Sequence, residues 1–267
     1  MGADHSKPPT ELREYLTLLR QRDGAGRPFI IVGGHAANFW AELYSEREPR
    51  LKGLLPFVSK DLDLIGTEAE AARVAQAIGW HLLPPPVHGG PVQAVVSSQP
   101  DGGGLTVEFL SQIKGVSYET IAANAREGLV RVPALNEDVS IRVLDPVLVL
   151  AGKIRNAVDI EQDQPDKPRQ DVKHVEMLAL CVPHFLDDVR VQTTDREQQR
   201  RACGKYIATL AALQRTYSGR QFEGRYPGVI RWHELIPPRI KQMLFEQDTQ
   251  VLLRQLTAND PSRGTGR

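Results

Sequence analysis

IIVGGHAANF, residues 30–39, sets a β-branched apolar run against two glycines and then a helix-forming segment. The pattern predicts a buried strand over 27–32, a turn at Gly33 and Gly34, and a helix over 35–44. A glycine pair between strand and helix has two readings. One is an ordinary tight turn. The other is a place where backbone approaches a ligand closely, with the free N–H groups and partial positive charge of the helix start directed at an anion. GxGxxG and GxxxxGK[ST] are both absent, which excludes a dinucleotide fingerprint and a Walker A loop.

The second decisive stretch is SKDLDLI, residues 59–65. Its strict alternation predicts a strand over 61–65 with Asp61 and Asp63 on one face and Leu62 and Leu64 on the other. Aspartate is disfavoured in strands, so two of them need a reason. Either the strand lies at an edge with both facing water, or the carboxylates share a cation that offsets their repulsion. Mg²⁺ is commonly held by one or two carboxylates plus substrate phosphates. A third acid, Glu108, interrupts the apolar strand LTVEFL (105–110) and is either solvated or part of the same site. Ser59 and Lys60 precede the acids and suit contact with phosphate or the rim of a cleft.

Around these stretches the chain reads as α+β. Residues 9–21 predict a short amphipathic helix capped at Thr10, and residues 68–80 a helix capped at Thr67, with Ala72, Ala75 and Ile78 on one side. Prolines 84–86 and glycines 89–90 mark a turn or hairpin before the strand VQAVVS (92–97), and VSIRVLD (139–145) is a further strand. After Pro146 the pattern becomes helical. Helices are expected after Pro146, over 170–182 ending before Pro183, and over 195–217 and 232–255, with a loop at YSGRQFEGRYPG between the last two. The expected organisation is a mixed sheet with flanking helices over 1–145, a helical region over 146–258 and a disordered tail over 259–267.

Composition narrows the possible functions. The 267 residues are 41% hydrophobic and 25% charged, with no formal net charge, so there is no global attraction to nucleic acid or membrane. Cys181 and Cys203 form neither a zinc signature nor a disulfide framework, and read as buried or incidental thiols in a reducing compartment. No secretory leader or membrane span is expected, which suits a cytoplasmic protein. Residues 187–241 carry eleven Lys or Arg against six Asp or Glu. Arg196, Arg200, Arg201 and Lys205 form either a solvated helix face or a stripe for a phosphate backbone.

Taken together, VGGHAANFW, SKDLDLI and a third acid in a later strand resemble the minimal nucleotidyltransferase pattern of the DNA polymerase β superfamily. RVLDPVLVLAGKIRNAVD and KPRQDVKHVEML resemble the segment after the core in the AbiEii/AbiGii toxin-like branch. The resemblance spans about residues 28–180. It implies a nucleotidyltransferase-like core and transfer of a nucleoside monophosphate from a ribonucleoside triphosphate, such as ATP, to an acceptor hydroxyl, with Mg²⁺ or Mn²⁺. By the same resemblance Gly33 and Gly34 form the phosphate-side turn, while Asp61, Asp63 and Glu108 carry the metals. Lys153 neutralises triphosphate, and Asp171 orients Lys153 or joins catalysis. Gln170 stands where the branch has a basic residue, with Arg169 one step away. Read as residues alone, Lys153 also suits a packed helix from which its amine snorkels, and Asp171 suits a helix cap. The implied partners are the nucleotide and a cognate antitoxin. The acceptor stays open: a tRNA 3′ end, a protein hydroxyl and a small molecule such as an aminoglycoside all fit the superfamily, and the basic balance of residues 187–241 leans toward RNA. The alternative is an inactive member that binds nucleotide or protein.

Overall fold

A computed structural model describes residues 9–85, 90–132, 137–161, 169–192 and 194–243. The chain divides into two compact units, taken here over their described residues: Met1–Glu42 with Pro56–Gly152, and Leu43–Leu55 with Lys153–Arg267. The architecture is α+β: a multi-stranded mixed sheet flanked by helices, and a helical C-terminal region.

The first unit is built on strands β1 (Ile30–Val32), β2 (Leu62–Ile65), β3 (His81–Leu83), β4 (Val92–Ser97), β5 (Thr106–Leu110), β6 (Ala125–Val132) and β7 (Glu137–Leu144). Their order across the sheet is β3-β4-β5-β2-β1-β7-β6. The most apolar strands occupy the middle, because only there are both faces covered. β1 is buried throughout and runs antiparallel to β2 and parallel to β7. β2 and β5 are parallel. Leu62, Leu64, Val107 and Phe109 are fully buried, which fixes the register, since a slip of one residue would place the acids in the core.

The helices of this unit are α1 (Leu16–Leu19), α2 (Gly33–Tyr44), α3 (Glu68–Ile78), α4 (Tyr118–Asn124) and the start of α5 (Pro146–Asp159). α2 follows β1 without a linker, so the glycines expected as a turn are its first two residues. Trp40 of α2 donates its indole N–H to the Leu144 carbonyl at 2.8 Å, anchoring the helix to the end of β7. α3 begins as expected, with Thr67 and Glu70 forming a reciprocal capping box. Its inner face, however, is Ala71, Val74 and Ala75. Asp145 is fully buried and accepts the Val147 and Leu148 N–H groups at 2.9 Å each, so it starts α5 rather than ending the strand.

The expected helix over 9–21 is instead a 3-10 turn, Leu12–Tyr15, followed by the single turn of α1. Thr10 does not cap it. Its backbone pairs with Ser59 in both directions, at 2.7 and 2.9 Å. Among the described residues before α5, the unexpected elements are β3, paired with β4, β6, paired with β7, α4, and a 3-10 turn at Pro49–Leu54 that buries Leu51.

In the second unit, α6 (Gln170–Val191) runs through Pro183 rather than stopping before it. Its buried face continues past the proline with Phe185, Leu186 and Val189, and that burial outweighs one missing N–H donor. α7 (Arg196–Arg215) is capped by Asp195, which accepts the Gln198 N–H. The segment expected as a loop is α8 (Tyr217–Arg225), capped by Thr216 and held by the buried Phe222. A Cβ at Gly219 would collide with the Leu213 carbonyl, so the close approach of α8 to the end of α7 requires glycine. In place of the start of the long helix expected over 232–255 stand a 3-10 turn, Trp232–Glu234, and α9 (Pro238–Met243). The rest of that expectation, the tail over 259–267 and part of the turn before β4 lie outside the described residues.

Cys181 and Cys203 are buried free thiols, and burial pushes both upward in pKa, Cys203 to about 11. Among the described residues no helix is long and apolar enough to cross a membrane.

Candidate functional site

Two of the three acids, Asp63 and Glu108, lie on neighbouring strands of the first unit. Asp63 and Glu108 are Cα partners across the parallel β2–β5 ladder. In-register partners project to the same side of a sheet, so the two carboxylates stand side by side. Asp61 lies just before β2, two residues from Asp63. Thr106, two residues before Glu108 on β5, donates its hydroxyl to the Asp61 carboxylate. The side chains at 61, 63, 106 and 108 therefore line one face, while Leu62 and Val107 turn to the other. All three acids are half-buried. The edge-strand reading of DLDL does not hold, since β2 lies between β5 and β1.

Gly33 completes this arrangement. Its φ is 64°, in the left-handed region, and a Cβ there would overlap the Asp63 carboxylate, with Cγ only 2.7 Å away. Val32 pairs with Asp63 across β1–β2, so the first turn of α2 starts immediately beside that carboxylate. The glycine requirement thus comes from an acid of this chain. A helix start next to a carboxylate is also electrostatically favourable.

A second layer lies behind Asp61. Ser59 is half-buried and fixed by its bridge to Thr10, whereas Lys60 is exposed. The Thr10 hydroxyl lies 3.0 Å from the Tyr15 hydroxyl and 3.4 Å from His35 Nε2. The Tyr15 and His35 rings meet edge to face at 5.3 Å. Tyr15 is fully buried, and its phenol is pushed up to about 12 by burial, with the Asp61 charge adding in the same direction. His35 is therefore a core residue rather than one turned to an open cleft. Thr106, which holds Asp61, was missed, as was the contact set of Thr10, Tyr15 and His35. The pattern of residues 9–21 signalled only an amphipathic segment, and Thr106 carried no signal.

Lys153 and Asp171 both lie in the second unit and meet there. Lys153 is 9% exposed and donates to Asp171 Oδ1 at 3.0 Å. Arg169 approaches the other oxygen at 3.5 Å and donates to the Asn156 carbonyl at 2.5 Å. Asp171 is in the first turn of α6 and is not its cap, which is Arg169. His174 is buried and lies 3.4 Å from the Gln170 amide, in a packing role. On α7, Glu197 reaches Arg200 at 3.4 Å and Arg201 at 3.0 Å, so part of the basic stripe is offset on its own helix.

Among the described residues, no group of three or more His, Cys, Asp or Glu side chains is gathered closely enough to hold a metal ion. Asp63 and Glu108 nonetheless fit a hard divalent cation in donor chemistry. Mg²⁺ is typically bound through one or two carboxylates, the remaining positions being filled by water and substrate phosphate, without an all-protein cage. The chain matches no family model and no curated protein.

Proposed function

We propose that the chain is a divalent-metal-dependent nucleotidyltransferase, moving a nucleoside monophosphate from a ribonucleoside triphosphate to an acceptor hydroxyl. The observation that carries this reading is the side-by-side placement of Asp63 and Glu108, with Asp61 on the same face and the start of α2 against Asp63. Three acids on one sheet face, beside a helix N-terminus, suit a cation and a polyphosphate together. On this reading the core is nucleotidyltransferase-like.

In this reading Asp61, Asp63 and Glu108 hold Mg²⁺ or Mn²⁺, which when bound supplies charge stabilisation at the phosphate and lowers the pKa of a coordinated hydroxyl. Asp63 is positioned by the absent side chain at Gly33, and Asp61 by the Thr106 hydroxyl. Both are thereby aligned before substrate arrives, which is where positioning contributes most to rate. The N–H groups of α2 attract the triphosphate. A carboxylate of the set accepts the proton of the attacking hydroxyl, the hydroxyl oxygen bonds to the α-phosphorus, and pyrophosphate departs. For the acceptor we favour RNA, tRNA in particular, from the basic balance of residues 187–241, and for the setting a toxin paired with an antitoxin, from the resemblance of residues 28–180.

One observation favours a second reading, a nucleotide-binding protein without turnover: the three acids are not gathered into a metal-holding group of side chains. Incubation with Mg²⁺, each α-labelled ribonucleotide and total tRNA separates the two. Label on RNA or protein, lost in the double variant Asp61→Asn, Asp63→Asn, supports transfer. Tight Mg²⁺–nucleotide binding with no label on RNA, protein or an aminoglycoside supports the binder.

A further inference from the structure

A cavity of about 490 Å³ opens in the first unit near the end of β2 away from Asp61. None of Gly33, Asp61, Asp63 and Glu108 lines it. Its size lies within the range of small-molecule sites, roughly 300–1,000 Å³. The apolar part of the wall is Phe29, Ile30, Ile65 and Leu110, and the cationic part is Arg27 and Arg142.

The charges in this wall are unevenly satisfied. It contains two carboxylates, Asp23 and Glu70, and both are already occupied. Glu70 accepts the N–H groups of Gly24 and Thr67 at 2.9 Å each, and the Thr67 hydroxyl at 3.1 Å. Asp23 Oδ1 accepts the Ala25 and Arg27 N–H groups, also at 2.9 Å. Asp23 Oδ2 is then shared by two guanidinium groups, Arg27 at 3.4 Å and Arg142 at 3.8 Å. Arg142 has a side chain only 12% exposed. Among the described residues Asp23 is its ion-pair partner, and its guanidinium donates no hydrogen bond. Glu127, its Cα partner on β6, is exposed and lies outside ion-pair distance. A guanidinium offers five N–H donors in a planar fork, and those of Arg142 are open to the cavity rather than spent on protein acceptors. Burial and the neighbouring Arg27 both press the Arg142 pKa downward, in keeping with an under-compensated cation.

We propose that this cavity binds a small molecule with an apolar body and a terminal oxyanion, carboxylate or phosphate, which the Arg142 and Arg27 guanidinium groups grip while Phe29, Ile65 and Leu110 cover the body. The site is independent of the proposed nucleotidyl transfer. Charge-assisted, forked contacts to an oxyanion match what Arg142 lacks, and the apolar floor selects against the bare ion.

Calorimetric titration of the full chain with phenyl phosphate, benzoate and inorganic phosphate tests this. Phenyl phosphate or benzoate should bind at least about tenfold more tightly than inorganic phosphate, and Arg142→Gln should weaken that binding about tenfold or more. Arg27→Gln, at a more exposed position, should weaken it in the same direction in a chain whose fold is easily preserved. Asp63→Asn should leave it unchanged, so failure of the transferase reading leaves this result intact. The tighter of the two aryl probes tells whether the natural ligand carries a phosphate or a carboxylate. No binding of either aryl probe to the folded wild-type protein overturns the proposal. So does binding that persists undiminished in folded Arg142→Gln and Arg27→Gln, or binding no tighter than that of inorganic phosphate.

Discussion

Asp63 on β2 and Glu108 on β5 are direct partners in a parallel ladder, flanked by the apolar pair Leu62 and Val107 turned to the opposite face. Main-chain register keeps the two acid-bearing positions side by side. Asp61, held by Thr106, adds a third carboxylate to the same face. A cation relieves the repulsion among these acids, which is why the transferase reading centres here.

Replacing either partner separates chemistry from folding. Asp63→Asn and Glu108→Gln preserve shape and remove repulsion, which offsets the lost attraction of Asp63 to the start of α2, so neither should lower stability by more than about 1 kcal/mol. If these groups carry the metal, each removes several kcal/mol of charge stabilisation and slows transfer at least about 100-fold. Initial-rate measurements beside thermal unfolding check both halves. A slowed enzyme with a little-changed melting temperature is the expected outcome.

Gly33 and Asp63 should be energetically coupled. Gly33→Ala forces an L-residue into the left-handed region, at about 1–2 kcal/mol, and drives its Cβ into the Asp63 carboxylate. The total loss should reach about 2–3 kcal/mol. In an Asp63→Ala background much of the collision disappears, leaving mainly the backbone term. Urea denaturation of the four-protein cycle should give a coupling of at least about 1 kcal/mol. Strict additivity would mean that the close contact is not what makes glycine necessary.

Lys153 and Asp171 form a pair in which one member is nearly buried. Asp171→Ala leaves the Lys153 ammonium without its carboxylate and should destabilise by about 2–4 kcal/mol. Lys153→Met in the same background removes the stranded charge and should recover part of that loss. Equilibrium unfolding of the single and double variants decides it.

Acid should weaken the second unit through Glu48. Its carboxyl is held down to about 2, chiefly by the Arg50 guanidinium, with burial opposing and the Arg50 N–H and His184 helping. An unfolded carboxyl of this type protonates near 4.5. Between those values the unfolded state binds more protons than the folded one, so stability falls as pH falls. The contribution is fully present above about pH 5, is lost as pH drops toward 2, and amounts to about 1 kcal/mol given the exposure of Arg50. Stability-against-pH curves for wild type and Glu48→Gln should converge at the acid end. Curves that stay parallel would exclude the pair as a source of the slope.

Much of the first unit was legible because its interior strands alternate or are uniformly apolar. VQAVVS is β4 as expected, and the acids of β2 and β5 fall on one face as period two requires. The Thr67 cap was visible because its chemistry is local. What escaped depended on partners distant in sequence. β3 has only three residues, mostly exposed, too short to establish a period. β6 is an edge strand containing Gly128 and an exposed Leu129, and none of its described side chains is buried, so the burial that produces a clear alternation is missing. α8 reads as a loop because glycine and polar residues dominate it. It forms because Thr216 caps it and Phe222 is buried. Pro183 looked like a stop, and tertiary burial of α6 overrode it. At the site, the acids and Gly33 could be named from sequence. The reason for Gly33 could not, since it lies in the Asp63 side chain about thirty residues away. Thr106 was equally hidden, because nothing local marks a hydroxyl that supports a distant carboxylate.

The most direct test of the central claim is a Mn²⁺ titration followed by electron paramagnetic resonance, with a non-hydrolysable ribonucleoside triphosphate present. The wild-type protein should bind Mn²⁺ together with the nucleotide, and Asp63→Asn and Glu108→Gln should each weaken that binding at least about tenfold while remaining folded. Equal Mn²⁺ binding by the wild type and both variants, or none by any of them, would contradict the assignment of a metal-triphosphate site to Asp61, Asp63 and Glu108.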